Sequence, residues 1–141
     1  MFIRPEQFKV FEEQAEAEFV EEVVEHLLDE YPDVDVRLPS QALKLEEISR
    51  PVLRKLVRCA LARARGYGMS WESSLVSFVS LMFVVAPNFD EHPLVRRVLR
   101  DETSGPNARI DLLWEEVSDE TWDAVELDYD PKAWNADPRK P

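Results

Sequence analysis

The sequence predicts an all-α fold: a single compact bundle of about five helices around a central apolar helix (about residues 71–86), with an extended C-terminal tail. Only three glycines occur in 141 residues. Apolar residues recur at helical spacing, whereas alternating strand patterns are scarce. The run from Leu75 to Ala86 is apolar nearly all round, and such a helix must be enclosed by others. We therefore expect one helical domain at residues 1–127 and an extended, acidic, tryptophan-containing tail at residues 128–141.

The first predicted helix runs from Pro5 to Tyr31, because proline suits a first helical turn and Pro32 ends the helix. Its apolar residues recur at every fourth position, a repeat that winds slowly around a helix of 3.6 residues per turn. The opposite face is acidic, since residues 1–31 carry ten acids and two bases. The apolar series consists of Phe11, Ala15, Phe19, Val23, Leu27 and Tyr31.

The connection from Pro32 to about Leu45 is predicted to be a surface loop. It contains two prolines, which punctuate regular structure. Its alternating residues Val34, Val36 and Leu38 are compatible with one extended segment lying on the bundle. A single strand has no evident pairing partner in a helical protein, so the loop is the preferred interpretation.

The second predicted helix begins at Glu46 or Ser49 and ends at Arg65, with Pro51 in its first turn. Residues 49–68 carry six bases and no acid within a chain of net charge −12. Two interpretations of this basic stripe stay open. Either it pairs with acids of the first helix or of the C-terminal region, or it faces an acidic patch on a partner protein.

The segment Gly66–Gly68 is predicted to end the second helix, with one of its glycines in the left-handed conformation. Ser70 is the predicted N-cap of the third and central helix, Trp71–Ala86. After that helix, Phe89 is expected to pack back against the bundle. Asp90 is expected to cap the fourth helix, which starts near His92 and Pro93 and runs from Leu94 to about Glu102.

Two further helices are predicted before the tail. One spans Ala108 to about Val117 and buries Ile110, Leu113, Trp114 and Val117 on a single face. The other is short, contains Trp122, and is capped by Ser118 or Asp119.

The C-terminal region combines acidity with large aromatic residues. Residues 111–141 hold ten acids and three bases, yet also three of the four tryptophans. Such tryptophans either fold back on the domain or bind a partner. Because large aromatic residues suit a solvated acidic tail poorly, we expect Trp122, Tyr129 and Trp134 to contribute to partner binding.

The composition argues against several classes of function. A net charge of −12 disfavours nucleic acid as a partner, because phosphate binding needs a cationic surface. His26, His92 and the single Cys59 lie on different predicted elements, so no metal site is expected. No glycine-rich phosphate loop follows a strand. We therefore predict a protein that is not an enzyme and has no cofactor.

The longest apolar run, from Leu75 to Ala86, is too short to span a bilayer. The N-terminus carries no apolar signal segment. A cytoplasmic protein without membrane insertion is therefore expected.

The central stretch carries a pattern that resembles a family of small helical proteins encoded in bacterial type VI secretion effector clusters. The N-terminal residues Ile3 to Gln7 add to the resemblance, whereas residues Glu91 to Leu94 depart from the pattern of that family. The positions that carry the resemblance are Arg63, Tyr67-Gly68, Glu72, Leu81-Met82, Phe89-Asp90, Pro93, and Leu99 followed by Asp101.

Proteins of this family accompany a PAAR-tip protein, an effector adaptor (chaperone) and a toxin. The resemblance implies a non-enzymatic co-adaptor (co-chaperone) in the bacterial cytoplasm that binds the adaptor and assists toxin loading onto the PAAR/VgrG spike. The toxin and the PAAR protein are further candidate partners. The motif positions Arg63, Tyr67, Gly68, Phe89 and Asp90 are expected to be structural.

A second function is kept open. Small acidic helical proteins from such loci also serve as immunity proteins that bind and neutralise a cognate toxin. The two functions differ in their direct partner, which is the adaptor for a co-adaptor and the toxin for an immunity protein.

Overall fold

The computed structural model describes the backbone of residues 5–135 and the side chains of residues 14–135. Its secondary structure confirms the all-α prediction, because most of the described residues are helical. Ile3 and Arg4, the side chain of Phe11 and the last part of the predicted tail lie outside the described residues. Within residues 5–135 the helices are α1 (Pro5–Glu30), α2 (Arg50–Gly66), α3 (Glu72–Val84), α4 (Pro93–Leu99), α5 (Arg109–Glu116) and α6 (Asp119–Leu127).

The helix α3 occupies the centre of the bundle, as predicted from its apolar sequence. Both of its long faces bury large residues, and it packs most extensively against α2 and also contacts α5. Few positions of α3 face solvent. A sequence this apolar is stable as a helix only between other helices, where its side chains are removed from water. Its fully or nearly fully buried apolar residues are Leu75, Phe78, Val79, Leu81, Met82 and Phe83.

The start of α3 differs from the prediction in its cap. Trp71, not Ser70, is the N-cap residue, and its side chain makes no capping hydrogen bond. The Oδ1 atom of Asn107 accepts hydrogen bonds from the backbone N–H groups of Ser70 (3.0 Å) and Trp71 (2.8 Å). A distant amide therefore replaces the local hydroxyl cap, because it satisfies the backbone donors just before the helix.

The basic stripe of α2 pairs with the acidic face of α1, which confirms the intramolecular alternative. Arg50 contacts Glu25 at 2.6 Å and Arg65 contacts Glu16 at 2.7 Å. Arg54 pairs with Glu21 in the same row. These pairs are partly exposed, so each contributes only about 0–1 kcal/mol to stability. They set the orientation of two helices whose apolar faces, including Val24 and Leu27 of α1, supply the burial.

The predicted loop after α1 is wrong, because the segment forms an antiparallel β-hairpin. Strand β1 (Asp35–Arg37) pairs with β2 (Ala42–Lys44), with Val36 opposite Leu43. The turn is closed by the backbone N–H of Leu38, which donates to the carbonyl of Gln41 at 2.8 Å. The extended segment thus finds its partner within its own connection, and the buried side chain of Val36 fixes the hairpin to the core.

The predicted helix cap at Asp90 is also wrong. His92 is the N-cap of α4, and its Nδ1 accepts a hydrogen bond from the backbone N–H of Leu94. Asp90 instead lies in a short 3-10 helix, Phe89–Glu91, with its carboxylate buried in the interior. For α6, the predicted cap at Ser118 is confirmed, since its hydroxyl accepts from the backbone N–H of Thr121.

The described part of the tail is folded onto the bundle, whereas the sequence predicted it to be extended. Residues Pro131–Asn135 form a 3-10 helix that contacts α2. Trp134 is only 2% exposed, and its ring centroid lies 4.7 Å from that of Phe83 in α3. Burial of this large ring stabilises the folded position, so the domain extends at least to residue 135.

Candidate functional site

Three residues of the family-like motif meet in one buried cluster, which we call the Arg63–Tyr67–Asp90 cluster. Arg63 Nη2 donates to Asp90 Oδ1 at 2.9 Å, and Arg63 Nε donates to Oδ2 at 3.3 Å. The hydroxyl of Tyr67 donates to Asp90 Oδ2 at 2.9 Å. The Arg63 and Asp90 side chains are 10% and 3% exposed. This two-pronged geometry matches the planar fork of a guanidinium to a carboxylate.

The elements of the cluster explain the spacing of the motif. Arg63 and Tyr67 are four residues apart at the C-terminal end of α2, so both side chains emerge on the same helix face. Asp90 comes from the 3-10 helix after α3 and faces them across the core. The cluster therefore ties the end of α2 to the chain that leaves the central helix.

Burial and charge shift the ionisation of Tyr67. Desolvation is the largest cause, and the negative charge of Asp90 and the hydrogen bond to it act in the same direction. Together they raise the pKa of Tyr67 from 10.0 to about 12, and the nearby Arg96 guanidinium opposes this shift. Tyr67 therefore stays a neutral hydrogen-bond donor at physiological pH, which suits a structural role.

The other two motif residues support the same region. Phe89 is fully buried, and its ring centroid lies 4.9 Å from that of Phe78. Gly68 has a φ of +92°, and a Cβ atom there would lie 3.0 Å from the Cγ of Pro106. Glycine is therefore required by both backbone conformation and space. The structure thus brings all five predicted motif residues into the interior or into the turn beside it.

The Arg63–Tyr67–Asp90 cluster also contacts the tail. Arg63 Nη1 donates to the backbone carbonyl of Ala133 at 3.4 Å. The next residue, Trp134, donates its indole N–H to the hydroxyl of Tyr129 at 3.0 Å. That hydroxyl accepts from the backbone N–H of Arg37 and donates to the Arg37 carbonyl. The tail is therefore joined to both α2 and the hairpin.

The three residues predicted to bind a partner lie in different environments. Trp134 is buried, and Tyr129 is partly buried beneath the Arg37 guanidinium, 4.1 Å from its ring centroid. For these two residues the fold-back alternative describes the structure. Trp122 is partly buried on α6, and its ring centroid lies 5.8 Å from that of Trp114. Direct contact of any of the three with a partner stays a prediction.

Trp114 is a surface residue that the sequence placed in the core. Its side chain is 60% exposed, although Ile110, Leu113 and Val117 of the same segment are buried. The eight-residue helix α5 buries only a narrow stripe, and Trp114 lies at its edge. The acids Asp111, Glu115 and Glu116 beside Trp114 were the available signal, because they place it next to the charged face of the helix.

Comparison with known proteins finds no matching family model, no matching curated protein and no matching solved structure.

The described surface contains one large open groove of about 980 Å³. It lies between the β-hairpin, the end of α3 and α6. Its lining is mixed: Val84 and Leu127 are exposed apolar residues, whereas Lys44, Asp123 and Glu126 are charged. The groove is broad and open, unlike the enclosed pockets that bury most of a small molecule.

The described residues offer neither a metal site nor a membrane-spanning helix. In the part of the chain that the structure describes, no group of three or more His, Cys, Asp or Glu side chains is arranged to hold a metal ion. Among the described helices, none combines the length and apolarity needed to cross a bilayer.

Proposed function

We propose that this protein is a non-enzymatic, protein-binding accessory factor of the bacterial cytoplasm. In this proposal it is a co-adaptor that binds a type VI secretion effector adaptor and assists toxin loading onto the PAAR/VgrG spike. The single observation that carries the proposal is the motif that resembles the family of such proteins. Its positions Arg63 and Tyr67 are separated in sequence from Phe89 and Asp90 by the whole of α3, and the two pairs meet in the interior.

The packing of these positions supports the resemblance in a specific way. Some of the motif residues join the end of α2 to the chain after α3, whereas Glu72 and Pro93 of the same motif are exposed. Arg63 and Asp90 are 27 positions apart and form a bidentate buried pair. Because these motif residues build the interior, the surface residues remain available for partner binding. This arrangement suits a small protein without a catalytic centre.

Exposed aromatic residues support a protein partner. Trp114 is 60% exposed, and its ring centroid lies 5.8 Å from that of the partly buried Trp122. Exposed tryptophans are costly for a monomer in water and are enriched at protein–protein contacts. An acidic chain with such residues on its surface is suited to bind another protein rather than a nucleic acid.

Co-purification tests the proposal. The tagged chain is co-expressed with the effector adaptor from the same gene cluster, with the toxin gene deleted, and the eluate is compared with that of an unrelated acidic helical protein. We expect the adaptor to be retained by this chain only. Retention of the toxin but not of the adaptor would contradict the co-adaptor function.

The net charge of −12 favours one second candidate, an immunity protein that neutralises a basic toxin. Charge complementarity of this kind accelerates the association of inhibitors with their targets. An immunity protein must bind the toxin directly and rescue cells that express it. The same strains therefore separate the two functions, because rescue without adaptor binding supports the second candidate.

A further inference from the structure

The surface of α5 and α6 carries an aromatic pair with an acidic surround, which we call the Trp114–Trp122 face. It consists of Trp114, Trp122 and the flanking carboxylates of Asp111, Asp119 and Glu126. The two indole rings lie 5.8 Å apart with an interplanar angle of 35°. They form a continuous aromatic surface that is exposed mainly at Trp114.

The carboxylates lie beside the rings because of helix geometry. Residues three or four positions apart occupy neighbouring places on one helix face. Asp111 precedes Trp114 by three residues and Asp119 precedes Trp122 by three, whereas Glu126 follows Trp122 by four. All three acids are exposed. The face therefore presents an apolar centre with a negatively charged border.

The segment around this face carries a large excess of negative charge. Residues 109–130 contain nine acids and a single base, Arg109. The Arg109 guanidinium is directed inward and donates to the backbone carbonyls of Leu99 and Ser104. Among the described side chains, no ion pair within 4.0 Å involves any of the nine acids.

On α1, by contrast, several acids are paired with basic residues. There the carboxylates of Glu16, Glu21 and Glu25 are matched by arginines of α2. The protein thus pairs part of the acidic surface of α1 with arginines, whereas the acids around the exposed tryptophan rings have no ion-pair partner within 4.0 Å among the described side chains.

We infer that the Trp114–Trp122 face docks a basic segment of a partner protein. Lysine or arginine side chains of that segment would lie over the indole rings, where the cation is attracted to the electron-rich ring face. The same cations would pair with the bordering carboxylates. This inference deepens the proposed function, on which it rests, because it supplies the contact surface and the charge of the protein partner.

The binding test uses a synthetic amphipathic peptide rich in lysine and arginine, titrated calorimetrically into the full chain at physiological salt. Trp114→Ala is expected to weaken binding by at least about tenfold, as for a central aromatic residue of an interface. The matched control is Trp71→Ala, which removes an equally exposed tryptophan from the start of α3. We expect this control to change the affinity by less than about twofold.

A second pair of variants separates local contacts from overall charge. Asp119→Asn with Glu126→Gln and Glu18→Gln with Glu22→Gln each remove two negative charges, so both change the net charge equally. Glu18 and Glu22 are exposed on α1 and have no basic partner among the described residues. The first double variant should lose roughly three- to tenfold in affinity, and the second much less. Circular dichroism of every variant confirms that the fold is retained.

Equal losses in the two double variants would indicate attraction by overall charge alone. Equal losses in the two tryptophan variants would indicate that any exposed tryptophan serves equally well. Either result would overturn the inference. The adaptor pull-down with the same variants distinguishes the two levels of the proposal. Adaptor binding that is insensitive to Trp114→Ala would overturn the docking face and leave the proposed function intact. Selective peptide binding without any adaptor binding would support the face and contradict the co-adaptor function.

Discussion

Replacing Asp90 by asparagine is expected to lower the free energy of unfolding by about 3–5 kcal/mol, the cost of breaking a buried ion pair. The substitution keeps the shape of the side chain and removes its negative charge. Arg63 then remains in a site where its side chain is only 10% exposed. Its positive charge loses its close, buried counter-ion and keeps only the half-exposed carboxylate of Glu91, at 4.0 Å.

The contacts of Asp90 account for this magnitude. The carboxylate accepts two hydrogen bonds from Arg63 and one from the hydroxyl of Tyr67. Hydrogen bonds to charged groups contribute about 1.5–3 kcal/mol each. An asparagine amide retains one acceptor oxygen, but its NH₂ group faces donors. One or two of the three bonds are therefore kept, depending on which oxygen position the amide oxygen takes, and the loss of charge places the effect well above that of a typical surface substitution.

Urea unfolding followed by circular dichroism measures the effect, and a double-mutant cycle with Arg63→Met assigns it. In the Arg63→Met background no charge is left unpaired by Asp90→Asn, so the second substitution should cost at least about 2 kcal/mol less. The control is Glu16→Gln, which breaks the partly exposed pair with Arg65 and should cost about 0–1 kcal/mol. A cost of Asp90→Asn no larger than that of Glu16→Gln would refute the buried-pair reasoning.

Three further predictions concern the same region. Tyr67→Phe should lower the free energy of unfolding by about 1–3 kcal/mol at neutral pH. Because the folded-state pKa of Tyr67 is raised to about 12, this contribution is present below pH 10 and is lost as the pH rises to about 12. The difference in stability between variant and wild type in urea melts should therefore narrow there, and a constant difference would contradict this. Gly68→Val should lower the free energy of unfolding by about 1–3 kcal/mol because Gly68 has a positive φ. Gly66→Ala should be nearly neutral in the same melts, because no atom lies within 4 Å of the added Cβ. Equal effects of the two variants would contradict the assignment of Gly68 as the left-handed residue. Trp134→Ala should cost about 3–5 kcal/mol in thermal or urea unfolding as a core truncation, and a neutral result would mean that the tail does not dock as described.

The elements fixed by local sequence signals were predictable. The ends of α1 and α2 were predictable because proline and the residues at a helix end affect only the turn of helix in which they lie. Gly68 marked the turn because only glycine tolerates its backbone conformation. The central position of α3 followed from its apolar surface alone. Each of these signals concerns residues within a few positions of one another.

The features that depend on distant residues were not predictable. Asp90 precedes a His-Pro helix start and has the type of side chain that caps helices, but it binds the Arg63 guanidinium and the Tyr67 hydroxyl instead. The hairpin has strands of three residues each and a turn without the Asn-Gly or Asp-Gly signal that marks tight hairpins. Trp134 lies near the end of an acidic, proline-marked segment, and nothing local indicates the space beside Phe83 that it fills.

The candidate partner-binding residues divide in the same way. Trp122 and its neighbouring acids were recognisable from composition, because aromatic residues in an acidic segment are unusual. The sequence did not show which tryptophan faces solvent. Trp114 was expected in the core and is exposed, whereas Trp134 was expected to bind a partner and is buried. Exposure depends on where short helices end on the bundle, and a helix of two turns gives too few positions to define its buried face.

That this chain binds an effector adaptor is tested most directly by titrating the purified adaptor into the purified chain without toxin. Saturable binding that is weakened by Trp114→Ala and unaffected by Trp71→Ala is the result expected for a co-adaptor acting through the Trp114–Trp122 face. No binding of the adaptor, together with saturable binding of the toxin under the same conditions, would contradict the proposed function.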